Sequence, residues 1–144
     1  MLKLNKKSRE AEQFQELLVI IRKILSEKDG CIRAKQDVFE NHLKQILSEI
    51  NELDEAIKHN SVEEINEELG HVLFDVLYLA LLGEKSGKAN LENVLKELNW
   101  SMKFRHPHVF EGVKADTIED IKKLMKERKD TYHKMKKNKS LKLL

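Results

Sequence analysis

Apolar residues recur along this chain at helical rather than strand spacing. Phe14, Leu17, Leu18, Ile21 and Leu25 mark a first helix over about 8–28, which Asp29-Gly30 ends. Phe39, Leu43, Ile46, Ile50, Leu53 and Ile57 form the stripe of a second over about 36–59, stopped at Asn60 or Ser61. Ser61-Val-Glu-Glu64 reads as a capping box opening a third helix over about 62–85, with Gly83 and Gly87 breaking up its end. A fourth covers about 90–104 and ends before His106-Pro107, because the residue ahead of proline avoids helix. Thr117 caps a fifth, which continues towards 135. No segment alternates as a strand would, and no repeat or low-complexity tract is visible. The expected fold class is all-α, a bundle of about five helices.

The third helix sharpens that picture. At 100° per residue, Glu68, His71 and Asp75 fall within roughly 60° of each other, while apolar residues fill most of the remaining circumference. A helix that is apolar nearly all round needs cover on more than one side, so the pattern predicts an oligomer, a homodimer or a homotetramer.

Composition adds bounds. At 144 residues and 16.9 kDa, with a hydrophobic fraction of 40%, one domain over 1–144 is expected. Its helical core would cover about 8–135, with a frayed Lys-rich tail at 136–144. One Pro and five Gly offer little turn material for sheets. No apolar run is long enough to span a membrane, and the charged start MLKLNKKSREAEQF lacks the apolar core of a signal peptide. A single cysteine, Cys31, cannot form an internal disulfide, so a cytoplasmic location is expected. The net charge of +2 argues against nucleic acid as a partner of the whole chain. The Lys-rich stretch 122–142 reads first as a solvated helix end, with contact to phosphates as the alternative and a salt-sensitive nucleic-acid contact as a third reading.

The candidate chemistry lies in two acidic clusters, Glu49 and Glu52 on the second helix, and Glu67, Glu68, His71 and Asp75 on the third. Residues three apart share a helical face, and a short connection lets the two faces approach. Crowded carboxylates at neutral pH bind protons or a hard cation, and Mg²⁺ prefers such oxygen ligands. ExxE pairs are equally common as ordinary surface glutamates. Asp75 fits a buried acid paired with His71 one turn away, and His106 and His108 fit groups that tie down the turn at Pro107.

The order and spacing of DGCIRAK (29–35), SEINELDEAI (48–57), EELGHVLFDV (67–76), RHPHVFEG (105–112) and ADTIEDI (115–121) resemble the all-α nucleotide pyrophosphohydrolases of the MazG family. The resemblance implies Mg²⁺-dependent hydrolysis of a nucleoside triphosphate to the monophosphate and pyrophosphate. Carried over by position, it implies Glu49, Glu52, Glu68 and His71 as metal ligands. Glu49, Glu52, Glu67 and Glu68 become the catalytic acids, and Lys35, Lys103 and Arg105 the substrate-binding cations. The chain departs from the family's pattern at several of these places. His71 stands where an aspartate is usual, and Ser48 where another acid is common. GCIRAK replaces GCPWDK, Ser101 and Phe104 replace two of three basic residues before the turn, and Met125 replaces a late tryptophan. An imidazole ligand would favour Mn²⁺ or another transition metal over Mg²⁺. The alternative is a degenerate member that binds a nucleotide or a protein partner without catalysis.

Overall fold

The computed structural model describes residues 8–141, and these contain helices and connecting turns without strands. The helices are α1 (Arg9–Ile24), α2 (Ile32–Gln36), α3 (Leu43–His59), α4 (Val62–Ser86), α5 (Leu91–Arg105), α6 (Pro107–Phe110) and α7 (Ile118–Leu141). The all-α expectation holds. The described residues group into two compact units, divided between Leu91 and Glu92.

In the first unit, α3 and α4 form a hairpin and α1 packs on α4. Its core is Ile21 and Leu25 from the α1 side, Ile46 and Ala56 of α3, and Leu77, Tyr78, Leu81 and Leu82 of α4. Local chemistry sets the ends. Ser61 accepts the Glu64 amide at 3.3 Å to open α4, and Asn60 closes α3 in the left-handed conformation (φ 55°). Gly30 folds back on the end of α1, where a Cβ would lie 2.4 Å from the Ile24 and Ser26 carbonyl oxygens, so α1 stops at Ile24 rather than near 28.

Two other expectations are corrected. The predicted second helix over 36–59 begins only at Leu43, because the chain turns at 37–42 to reach across to α4. Tyr78 Oη donates to Asp37 Oδ2 at 2.7 Å, and His42 Nε2 lies 3.0 Å from Asp75 Oδ1. Gly83 does not break α4. It sits buried inside the helix, where a Cβ would lie 2.7 Å from Ala89 Cβ and 2.9 Å from Phe39 Cε2. Its lack of a side chain serves packing.

In the second unit, α6 is a single turn after His106, with Pro107 at its first position, where the missing N–H costs nothing. Thr117 and Asp120 cap α7 reciprocally, each side chain accepting the other's amide at 3.1 Å. That helix continues to Leu141, beyond the expected 135, and residues 142–144 of the Lys-rich tail lie outside the described residues.

Candidate functional site

Glu49 on α3 faces Glu68 and His71 on α4 because the Asn60-Ser61 connection returns the chain antiparallel at once. One donor atom from each of the three lies within 4.8 Å of the others. His71 Nδ1 is 3.0 Å from Glu68 Oε2 and 3.4 Å from Glu49 Oε2. The two carboxylates keep only 12% and 17% of their side-chain surface, whereas the imidazole keeps 50%. The Glu68 hydrogen bond, reinforced by the charges of Glu68, Glu49 and Glu67 against a smaller burial penalty, raises the His71 pKa. When protonated, the imidazole would neutralise a pair of acids that otherwise repel. Gln45, one turn before Glu49, donates to Glu49 Oε1 at 2.6 Å and fixes its rotamer.

A cavity of about 470 Å³ opens beside this trio, with Glu49 and His71 in its wall. Arg33 and Lys44 supply its positive charge, and Phe74 and Tyr78 its aromatic surface. His42 and Asp75, each with 8% side-chain exposure, make its most buried polar contact. Burial pushes the Asp75 carboxyl up, against the opposing pull of His42. The expected partner of Asp75, His71, is therefore replaced by a histidine from the α2–α3 turn.

The other expected site residues are placed as follows. Glu52 is exposed and lines a separate cleft with Glu68, 3.5 Å from the Ser48 hydroxyl. Glu67 is exposed and outside the trio. Lys35 is exposed on α2 and does not line the cavity. Lys103 and Arg105 belong to the second unit. There Arg105 Nε and His108 Nδ1 are buried without hydrogen-bond partners, while His106 Nδ1 donates to the Met102 carbonyl at 2.7 Å and ties the turn. Sequence reading noted Arg33 only as the replacement of a tryptophan and passed over His42, Lys44 and Gln45. The i, i+4 spacing of Gln45 and Glu49 was the available signal.

The first unit is thus an all-α hairpin in which two carboxylates and an imidazole converge beside a cavity lined by both acids and cations. The family model of the MazG nucleotide pyrophosphohydrolase domain matches residues 38–110. The chain belongs to the MazG nucleotide pyrophosphohydrolase family. It is 35% identical over 112 residues to the nucleoside triphosphate pyrophosphohydrolase/pyrophosphatase MazG of Thermotoga maritima, covering 76% of this chain and 44% of that protein. It is 26% identical over 109 residues to the nucleoside triphosphate pyrophosphohydrolase of Escherichia coli (strain K12), covering 76% of this chain and 41% of that protein. The uncharacterized protein YabN of Bacillus subtilis is 35% identical over 109 residues, covering 76% of this chain and 22% of YabN. The chain thus spans less than half the length of these curated relatives. The crystal structure of a mazG-related protein from Thermotoga maritima superposes with a TM-score of 0.71 at 29% identity, covering 81% of this chain and 98% of that one. The match at 38–110 includes the acidic trio but not Lys35. Among the described residues no helix is long and apolar enough to cross a membrane.

Proposed function

We propose that this protein hydrolyses a nucleoside triphosphate to the monophosphate and pyrophosphate with a divalent cation, Mg²⁺ or Mn²⁺. The observation that carries the reading is the convergence of Glu49, Glu68 and His71 within 4.8 Å at the wall of a 470 Å³ cavity. The donor set fits a divalent ion, and its imidazole nitrogen suits Mn²⁺ better than Mg²⁺. A cation held there would polarise the phosphoryl oxygens and lower the pKa of a bound water. The chain's own groups do the rest. Glu49, Glu68 and His71 would hold the cation, Gln45 keeps Glu49 oriented, and Glu52 and Glu67 would add negative potential. One of these glutamates accepts the proton of the attacking water, the α-phosphorus–oxygen bond breaks, and pyrophosphate leaves with the electron pair. Arg33 and Lys44 in the cavity wall would neutralise the phosphates, with Lys35 of the same unit adding positive charge.

The two units act together as one MazG-like domain, a reading supported by a family match that crosses their division at 91/92. Leu69, Leu73 and Val76 of α4 remain 46–51% exposed, which supports a homodimer or homotetramer closed over this helix. Leu73→Arg is then expected to yield monomers in sedimentation velocity, and an unchanged assembly would refute that face.

Incubation with each common nucleoside triphosphate plus Mg²⁺ or Mn²⁺ should release pyrophosphate, abolished by EDTA. No release with any nucleotide and either metal would overturn the enzyme reading. It would favour the alternative of a nucleotide- or protein-binding descendant, which the internal His71–Glu68 contact supports.

A further inference from the structure

The second unit contains an open aromatic cleft that the proposed chemistry does not use. Between α5 and α7 lies a cavity of about 410 Å³, lined by Trp100, Tyr132 and Met135 with Lys96, Lys136 and Lys139 around it. Glu97 also lines it, paired with Lys136 at 2.7 Å and accepting from Tyr132 Oη. The rings form a ladder. Arg128 lies 4.7 Å from the Phe104 centroid, and Phe104 stacks on Trp100 at 5.0 Å with a 10° interplanar angle. Trp100 meets Tyr132 at 5.7 Å, and Lys136 lies over Tyr132 at 4.9 Å. Beside the ladder, Trp100 and Met135 each stay 42% exposed. The surroundings are strongly positive. Helix α7 carries nine Lys and Arg against four Asp and Glu, a net +5, and has no acid after Asp130. The chain's total of +2 conceals this local excess.

Cations interleaved with partly open rings suit a flexible polyanion whose bases can stack, because every base has a π-face and every step a phosphate. From Arg128 to Lys139 the helix rises about 16 Å at 1.5 Å per residue, longer than one nucleotide. We propose that the α5–α7 cleft is a binding site for single-stranded nucleic acid, with bases stacked at Trp100 and Tyr132 and phosphates drawn to Lys139 and to Lys96 and Lys136, which would exchange their Glu92 and Glu97 partners for them. The site is independent of the acidic trio and needs no metal.

Trp100 is the only tryptophan in the chain, so its emission reports this cleft alone. The test titrates the full chain, in EDTA, with oligo(dT) of about twelve nucleotides, a length within the range of known single-strand sites. Saturable quenching of Trp100 is expected. Anisotropy of the labelled strand should show Trp100→Ala weakening binding at least about fivefold, the lower end of one lost stacking contact. Lys139→Gln, an exposed change that leaves the fold intact, should lower the salt slope by about 0.7, one phosphate contact on a single strand. If Trp100→Ala does not fold by circular dichroism, Lys139→Gln and Trp100→Phe decide. No saturable quenching, or a salt slope unchanged by Lys139→Gln, would overturn the proposal. So would binding of free thymidine monophosphate as tight as the strand's. Emission that follows protein concentration but ignores the strand would assign the cleft to a second copy, and would also overturn it.

Discussion

Replacing His71 by aspartate should make the apo protein less stable and the metal-bound protein relatively more so. In the structure the imidazole lies 3.0 Å from Glu68 and 3.4 Å from Glu49, so it makes two short contacts of opposite charge. His71 is half exposed, so the water-like end of the dielectric range applies, about 1 kcal/mol per unit-charge pair at such distances. Aspartate turns both attractions into repulsions, an ideal swing of about 4 kcal/mol, which screening and relaxation reduce to about 2. For a chain of this size that is a fall in Tm of roughly 4–8 °C in EDTA. A third carboxylate should tighten cation binding, and Mg²⁺ at about 100 times its Kd restores about 2.7 kcal/mol. The pH dependence follows from the raised His71 pKa. The histidine's contribution is complete below the unfolded value of 6.5 and disappears as pH rises through the higher folded value. The gap between wild type and His71→Asp should therefore be widest at pH 6 and below and narrow above that range, leaving only the carboxylate repulsion. Differential scanning calorimetry with and without Mg²⁺ measures all of this. Equal Tm values in EDTA, or equal gains from Mg²⁺, would refute the idea that His71 serves as the internal counter-charge of a cation site.

Four further outcomes are expected. Glu49→Gln should cut metal-stimulated pyrophosphate release at least about 100-fold, beyond the usual loss for an outer-shell partner, while the more exposed Glu52→Gln does less; reversal of that order would place the cation elsewhere. His42→Leu strands the buried Asp75 and should cost about 3 kcal/mol by urea unfolding. Because burial raises the Asp75 pKa, ionisation costs stability as pH rises from 3.8 to the folded value, so Asp75→Asn should gain on wild type across that window; a constant difference would contradict it. Gly83→Ala, meeting Ala89 Cβ at 2.7 Å, should destabilise by about 1–3 kcal/mol despite its better helix propensity. Gly70→Ala, with nothing within 4 Å, should stabilise by about 0.5–1 kcal/mol. Equal Tm shifts for the two would refute the packing role of Gly83.

Most helix positions and the Glu68–His71 pair were legible because both follow from local spacing. Ser61 and Thr117 announce their caps by residue type, and Glu68 and His71 share a face at i, i+3 wherever the helix sits. The break at 37–42 was not legible, since Phe39 and Leu43 continue the apolar spacing across it. It arises from tertiary demand, as Asp37 and His42 satisfy Tyr78 and Asp75 on another helix. The same reason misdirected Asp75. Sequence offers it a neighbour four residues back, but its carboxylate is engaged by a side chain 33 positions away. Which glutamates converge was also beyond spacing alone, because Glu49 and Glu52 differ by a rotation that only helix packing resolves.

The two-residue link between α3 and α4 has a kinetic consequence. Glu49 and Glu68 are fewer than twenty positions apart, whereas the His42–Asp75 contact closes 33, Tyr78–Asp37 closes 41 and Arg22–Glu84 closes 62. Loop-closure entropy grows with each of these spans, so within the first unit the hairpin bearing the acids is the first of these contacts to form. The acidic trio can therefore assemble before α1 docks, and substitutions in the Asn60-Ser61 link should change the folding rate more than those at the α1 contacts.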